Sequence, residues 1–315
     1  MSKNIFENHK KQTIVIIVLI FIVIAIISVE LILEKTYGLG NPVLYDSSPL
    51  YGYRPLPNQD LSRFGGGKLK FNNLGLRADE NWDNRKDDKI LFLGDSVTYG
   101  GSYIANKELF SHLAVVGLGN YKSGNAGVNA WGVENIYGLI VETNIIPAQI
   151  YVTTLPEGDF YRGLTRLQGL PYFNIKPKFA FSELWYFFCY LQNNNRYLEW
   201  TFFANDEGRS YVVGKAIKKL KEMDDYLKKR GLQHLIFITP GFSQVVEGAP
   251  KDALVNKLLK DNSLNPYYIL DELPQYKLSK RKKEKLFHDG IHLEKEGHEI
   301  WAQIVRSKLK IIIKY

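Results

Sequence analysis

The alternation that begins at residue 89 limits this chain's fold more than any other feature. Short, mostly apolar runs at 89–93, 148–155 and 235–239 read as buried strands, with 121–126 as another short strand and 267–270 as a short fifth. Between them lie stretches with helical spacing. Leu109, Phe110, Leu113 and Val116 share one face of 107–116, and 133–143 is helical as well. Val213, Ile217, Leu220 and Leu227 form a stripe along 212–230, which Gly231 ends. A closing helix at 294–309 carries Trp301, Val305 and Leu309 four apart, with Ile300 and Ile304 alongside. Short, largely apolar strands alternating with helices build a parallel sheet covered on both faces. The expected architecture is α/β, with three layers (α/β/α) around a parallel sheet of about five strands.

A run of another kind comes first. Residues 14–29 carry no charge and are almost wholly apolar, and after Glu30 come Leu31, Ile32 and Leu33. Twenty helical residues span ~30 Å, the thickness of a bilayer core. The run is longer than a signal-peptide core, and no small-x-small cleavage pattern follows it. It therefore reads as one transmembrane signal anchor at 13–34 behind a cytoplasmic tail at 1–12, rather than a removed signal peptide. Lys3, Lys10 and Lys11 precede the span, whereas Glu30, Glu34 and Lys35 mark its far end. The positive-inside bias puts residues 36–315 outside the cytoplasm. Nucleic acid is thereby excluded as a partner, despite a net charge of +8.

Lys277, Lys280, Arg281, Lys282, Lys283 and Lys285 concentrate that charge. They read as a solvated helix face, or more sharply as a contact for anionic glycan or lipid headgroups. Twenty Tyr and 17 Phe argue against disorder. The single Cys189 excludes an intramolecular disulfide and a thiolate metal cluster, and its neighbours Tyr186, Phe187, Phe188 and Tyr190 suggest buried packing. Residues 35–67, rich in Pro, Gly and Tyr, read as a juxtamembrane connector, followed by an edge strand at 68–72. An aromatic, irregular stretch at 160–208 interrupts the alternation. It reads as an inserted helical cap, or as extra core around one helix. Phe181, Trp185, Tyr186, Phe187, Phe188, Trp200, Phe202 and Phe203 lie in it.

Two short motifs carry chemistry. Gly94-Asp95-Ser96 follows the first core strand, where reactive groups of such sheets gather. Gly94 lets the chain turn, and the next residues can start a helix whose N-terminus favours developing negative charge. Asp289-Gly290-Ile291-His292 precedes the closing helix. The three-residue separation lets the Asp289 carboxylate meet the His292 Nδ1 and leaves Nε2 for Ser96. A hydroxyl needs such a base, and the base an orienting acid, to act as a nucleophile. No phosphate-loop or dinucleotide pattern is present, and Thr98 stands where the Gly-x-Ser-x-Gly elbow has its last glycine. His288 and His292 have a His-x₃-His spacing, but Gly290 between them disfavours a helical zinc pair. No metal and no cofactor are expected. His298 reads as structural.

With these residues in place, the chain resembles the SGNH/GDSL hydrolase family, over roughly residues 68–310. That resemblance implies a flavodoxin-like fold acting on ester bonds. It makes Ser96 the nucleophile and Asp289 and His292 its partners. Gly127, in Asn125-Ala126-Gly127-Val128-Asn129, is implied as a backbone oxyanion donor beside the Ser96 N–H. Asn72-Asn73-Leu74-Gly75-Leu76-Arg77 is similar to a segment preceding the first block in membrane-anchored members, and Arg77 is one candidate for substrate binding. One block departs. Where the family reads Gly-x-Asn-Asp, this chain reads Pro156-Glu157-Gly158-Asp159, so Gly158 replaces the oxyanion-binding Asn. Losing such a donor costs on the order of 10²–10³ in rate. Asn125 or Asn129 could substitute, or the Gly158 N–H could turn inward, or the enzyme could be slow or dead. Asp159 and Arg162 are further candidates for contact with substrate. Two functions are thus expected to compete. One is an extracytoplasmic serine esterase or O-acyltransferase, acting on acyl groups of a cell-surface glycan or lipid. The other is a catalytically weak or inactive protein on the same fold, binding glycan or acting as a scaffold in envelope assembly.

Overall fold

In the computed structural model of the chain, the expected strand segments form five parallel strands: β5 (Lys89–Gly94), β6 (Lys122–Gly127), β7 (Ile150–Pro156), β8 (Gln233–Thr239) and β9 (Tyr267–Tyr268). Four shorter strands precede them: β1 (Tyr45–Ser48), β2 (Gly52–Pro55), β3 (Gln59–Ser62) and β4 (Lys68–Phe71). The structure describes residues 9–64, 67–83, 85, 88–143, 146–167, 172–193 and 206–313. The five strands are ordered β6-β5-β7-β8-β9, all parallel. Counted from β5, that is the 2-1-3-4-5 order of a flavodoxin-like sheet, whose direction of winding reverses beside its first strand.

Period-two alternation puts two apolar faces on the sheet. Leu91, Leu93, Tyr151, Leu155, Ile236 and Ile238 face one core, where Val213, Ile217 and Leu220 of the helix Asp206–Lys228 pack. Ile90, Phe92, Ile150, Val152, Leu235 and Phe237 face the other, where Trp301, Val305 and Leu309 of the closing helix Lys295–Ile313 pack. Both predicted helical stripes are therefore core stripes, and the architecture is three-layered α/β/α. The helix expected over 107–116 is shorter. Leu109 is extended (φ −67°, ψ 141°), so a 3₁₀ turn at Asn106–Glu108 gives way to a helix of four residues, Phe110–Leu113. Val116 ends up 51% exposed. The strand expected over 267–270 stops at Tyr268, because Ile269–Glu272 turns helical. The helix Ala253–Asp261, capped by the Asp252 side chain, lies in a stretch with no sequence expectation attached.

Residues 43–62 contribute buried groups to the first core. β1 pairs antiparallel with β2, and β3 with β4, while Tyr45, Tyr51 and Tyr53 are buried. The N-terminal apolar run is one helix, Lys10–Tyr37, of which 28 residues are helical and none is buried. It is long and apolar enough to cross a membrane, a test that a signal sequence passes equally. Within the aromatic insert, a helix runs over Ala180–Asn193. Trp200, Phe202 and Phe203 lie outside the described residues. Cys189 is half-buried on this helix rather than buried. The lysine-rich stretch forms a short helix, Lys280–Glu284, with no buried residue.

Candidate active site

β5 ends at Gly94, and its neighbour Asp95 caps a four-residue helix, Ser96–Tyr99, by accepting the Val97 N–H at 2.9 Å. The turn leaves no room for a side chain at two glycines. A Cβ at Gly94 would stand 2.1 Å from Thr98 Oγ1, and one at Gly127 would stand 2.3 Å from the Tyr99 nitrogen. Both glycines thus let the serine helix cross closely over β5 and β6. Ser96 is left half-buried at the carboxyl end of the sheet, where the strand order reverses.

The loop before the closing helix brings the acid and the imidazole to it. Asp289 Oδ1 accepts the N–H groups of Ile291 (2.9 Å) and His292 (2.8 Å). Asp289 Oδ2 lies 2.7 Å from His292 Nδ1, and His292 Nε2 lies 2.8 Å from Ser96 Oγ. Donation of Nδ1–H to Asp289 leaves the Nε2 lone pair facing the hydroxyl. Burial pushes the Asp289 carboxyl upward, but hydrogen bonds from the His292 ring and from the two backbone N–H groups outweigh it and hold the group below the usual carboxylate range. Asp289 therefore stays ionised at neutral pH. His288 is turned elsewhere, with Nδ1 2.7 Å from Glu294 Oε1 and its ring stacked on Tyr103.

Beneath the serine sits a charged cluster that the motifs did not announce. Asp95 and Asp159 are each 1% exposed. Arg162 Nη1 donates to Asp159 Oδ1 at 2.6 Å and to the Trp131 carbonyl at 3.1 Å, and lies 3.7 Å from Asp95 Oδ2. The same Asp95 oxygen is 3.3 Å from Ser96 Oγ. Burial raises both carboxyls, Asp159 the more strongly because the Asp95 charge adds to it. Asp159 Oδ2 is buried and meets no donor, while its carboxyl faces Asp95. Burial and the neighbouring Asp95 charge both favour the protonated form of Asp159, against the nearby Arg162 charge. Burial works against the Arg162 charge, yet the two carboxyls raise its affinity for its proton.

The expected oxyanion donors are placed unevenly. The Gly127 N–H donates to Asn125 Oδ1 at 2.8 Å, and the Asn125 amide donates to the Thr98 carbonyl (2.6 Å) and to Ser111 Oγ (2.9 Å). Neither is free for a ligand, which corrects the expectation for both: the Asn125 side chain holds the Gly127 N–H and ties β6 to the serine helix. Asn129 is half-buried, its carbonyl accepting the Tyr53 hydroxyl at 2.6 Å and its side chain facing Tyr172. A Cβ at Gly158 would meet nothing within 4 Å, so the space beside this residue is open. The neighbouring Ala130 holds a left-handed φ of 61° in the loop leading to Trp131, a strain that nothing in the sequence signalled.

Arg77 is also corrected. It is 2% exposed, and its guanidinium donates to Asn106 Oδ1 and to the carbonyls of Tyr99, Gly101 and Ile104 at 2.5–3.1 Å. It clasps the loop after the serine helix and is too buried to meet a substrate. Asp159 is likewise too buried for direct contact, whereas the Arg162 side chain is 27% exposed. His298 lies fully buried, with Nδ1 accepting the Phe110 N–H at 3.1 Å.

No family model and no curated protein matches the chain. Among solved structures, it is similar to a lipolytic protein of the G-D-S-L family from Veillonella parvula, at 16% identity and a TM-score of 0.40, over 72% of this chain and 99% of that one. It is also similar to an acetyl xylan esterase, at 15% identity and a TM-score of 0.44, over 70% and 99%. A third is a catalytic mutant of an acetylxylan esterase from Geobacillus stearothermophilus, at 13% identity and a TM-score of 0.36, over 70% and 94%.

Proposed function

We propose that this chain is a serine esterase or O-acyltransferase held at the outer face of a membrane, acting on acyl groups of a cell-surface glycan or lipid. The observation that carries the reading is the continuous relay from Asp289 Oδ2 through His292 to Ser96 Oγ, at 2.7 and 2.8 Å. In this mechanism Ser96 Oγ attacks the acyl carbonyl carbon while its proton passes to His292 Nε2. The tetrahedral intermediate collapses, and Nε2 returns the proton to the departing alkoxide. A water or a sugar hydroxyl, deprotonated in turn by His292, then takes the acyl group, and Nε2 hands that proton to the departing Ser96 Oγ. Asp289 keeps the ring in the required tautomer and offsets its positive charge. The Ser96 N–H and the partly exposed Arg162 guanidinium face the developing oxyanion, Arg162 standing in for the amide that Gly158 lacks. Outward placement of the domain rests on the lysines before the Lys10–Tyr37 helix and the glutamates at its far end.

One observation favours the second reading, a weak or inactive protein that binds glycan. The Gly127 N–H and the Asn125 amide are both committed inside the fold, so the cradle has lost more than its Asn. The deciding experiment uses the full chain in detergent micelles. Hydrolysis of a chromogenic acetyl ester and labelling of Ser96 by a fluorophosphonate are expected, with both lost in Ser96→Ala and the hydrolysis reduced at least about 10³-fold in His292→Ala. Equal rates in all three proteins, with Ser96 unlabelled, would leave the binding reading.

A further inference from the structure

The helix Ala180–Asn193 is built the wrong way round for a helix in water. Phe181, Leu184, Trp185, Phe188 and Leu191 fall three, four, seven and ten residues along one face, and all are 39–66% exposed. Phe179, just before it, is 59% exposed. The inward face instead buries Ala180 and a carboxylate, Glu183, at 1% and 0% exposure. Amphipathic helices of soluble domains bury the first kind of side chain and expose the second. Contiguous exposed apolar surface of this sort marks a contact face.

What the helix is tied to identifies the contact. The Glu30 carboxylate, near the end of the Lys10–Tyr37 helix, accepts the N–H groups of Ala180 (2.5 Å) and Phe181 (3.1 Å) and so caps the aromatic helix. Glu183 accepts the Gly40 N–H at 2.6 Å and forms a buried ion pair with Arg63, which itself donates to the Gly38 carbonyl at 2.7 Å. The aromatic helix is thus fastened to the apolar helix and to the three residues that follow it. Glu30 lies sixteen residues beyond Ile14, about 24 Å along the helix axis. If the apolar core begins at Ile14, its far boundary falls at ~30 Å, about 6 Å past Glu30. Interfacial helices sit with their apolar faces roughly 5–10 Å into that boundary.

We infer that Ala180–Asn193 is an interfacial helix whose aromatic face enters the outer leaflet of the bilayer that the Lys10–Tyr37 helix crosses. This rests on the membrane-anchor reading above. Glu30, costly at such a depth when alone, is satisfied by the capped N–H groups. Trp185, stacked on Phe188 with centroids 5.6 Å apart, suits the headgroup boundary, where an apolar ring with one polar N–H is favoured. The helical cap expected within 160–208 is, on this inference, a float that sets the domain's height over lipid.

The test is tryptophan quenching in proteoliposomes of the full chain, using phosphatidylcholines brominated at a shallow or a deep acyl position. Shallow bromines should quench the wild type, and Trp185→Phe should lose that component. A control in the Trp185→Phe background, Phe21→Trp, reports the anchor and should be quenched by deep bromines. Quenching of the Phe21→Trp protein, with wild type and Trp185→Phe indistinguishable, would overturn the interfacial helix and leave the anchor standing. Absence of quenching at position 21 would remove the anchor and the inference together.

Discussion

On the proposed reading, Gly158 is the residue on which catalytic power turns. It sits between a buried aspartate and a strand end, with open space where an amide would extend. Its φ lies outside the left-handed region, so a larger residue fits without backbone strain. Gly158→Asn is therefore expected to fold normally and to raise kcat for an acetyl ester by roughly ten-fold or more, within the ~10²–10³ that such a donor is worth elsewhere. The same change in a Ser96→Ala background should give nothing. Steady-state kinetics of both proteins check this, and an unchanged kcat would mean that Arg162 and the Ser96 N–H already saturate the oxyanion. The juxtaposition of Ser96, His292 and Asp289 was legible because each is a residue type at a motif spacing. Asp95 was legible only as a motif letter. Its partnership with Asp159 and Arg162 depends on two strand ends lying side by side, which no spacing reports.

Among the elements, the 72–77 turn shows how a motif can be seen and misassigned. Asn72 Oδ1 accepts the N–H groups of Leu74 and Leu76, and Gly75 takes a left-handed φ of 70°. The turn delivers Arg77 to the edge of β6, where its backbone pairs with Asn125. From there the guanidinium reaches three carbonyls of the loop that carries the serine helix onward. A charged side chain named in a motif invites a substrate role, but burial makes this one a clasp. Arg77→Met would leave those carbonyls without donors inside the fold, at a cost of about 3 kcal/mol or more. Urea unfolding of the full chain in detergent should show that loss. A midpoint unchanged from wild type would mean the loop holds its shape unaided.

For the whole molecule, pH is the probe that separates buried from surface charge. Burial and the nearby Arg77 charge push the His298 imidazole down to about 3, against an ordinary value near 6.5. Between those values the unfolded chain binds a proton that the folded one refuses. Stability should therefore be full above about pH 6.5 and fall with acidification, by up to about 1.4 kcal/mol per pH unit. His234, lowered by burial despite its Asp224 partner, acts in the same direction. His298→Gln should flatten the slope between pH 7 and 5 in urea titrations, and an unaltered slope would assign the acid sensitivity to other groups. The alternation of apolar strands and helices, the two core stripes, the N-terminal apolar helix and the Ser–His–Asp set were determined by the sequence alone, because each depends on local periodicity or on residue type at a short spacing. The tertiary structure decided the rest. It committed the Gly127 N–H to Asn125 and the Asn125 amide to the serine helix, buried Arg77, set Asp95 and Asp159 around Arg162, and turned an aromatic helix outward beside Glu30. Those outcomes depend on which distant segments share one small volume. There, the cost of burying a charge or leaving a donor unpaired chooses the partner, and sequence spacing carries no trace of that choice.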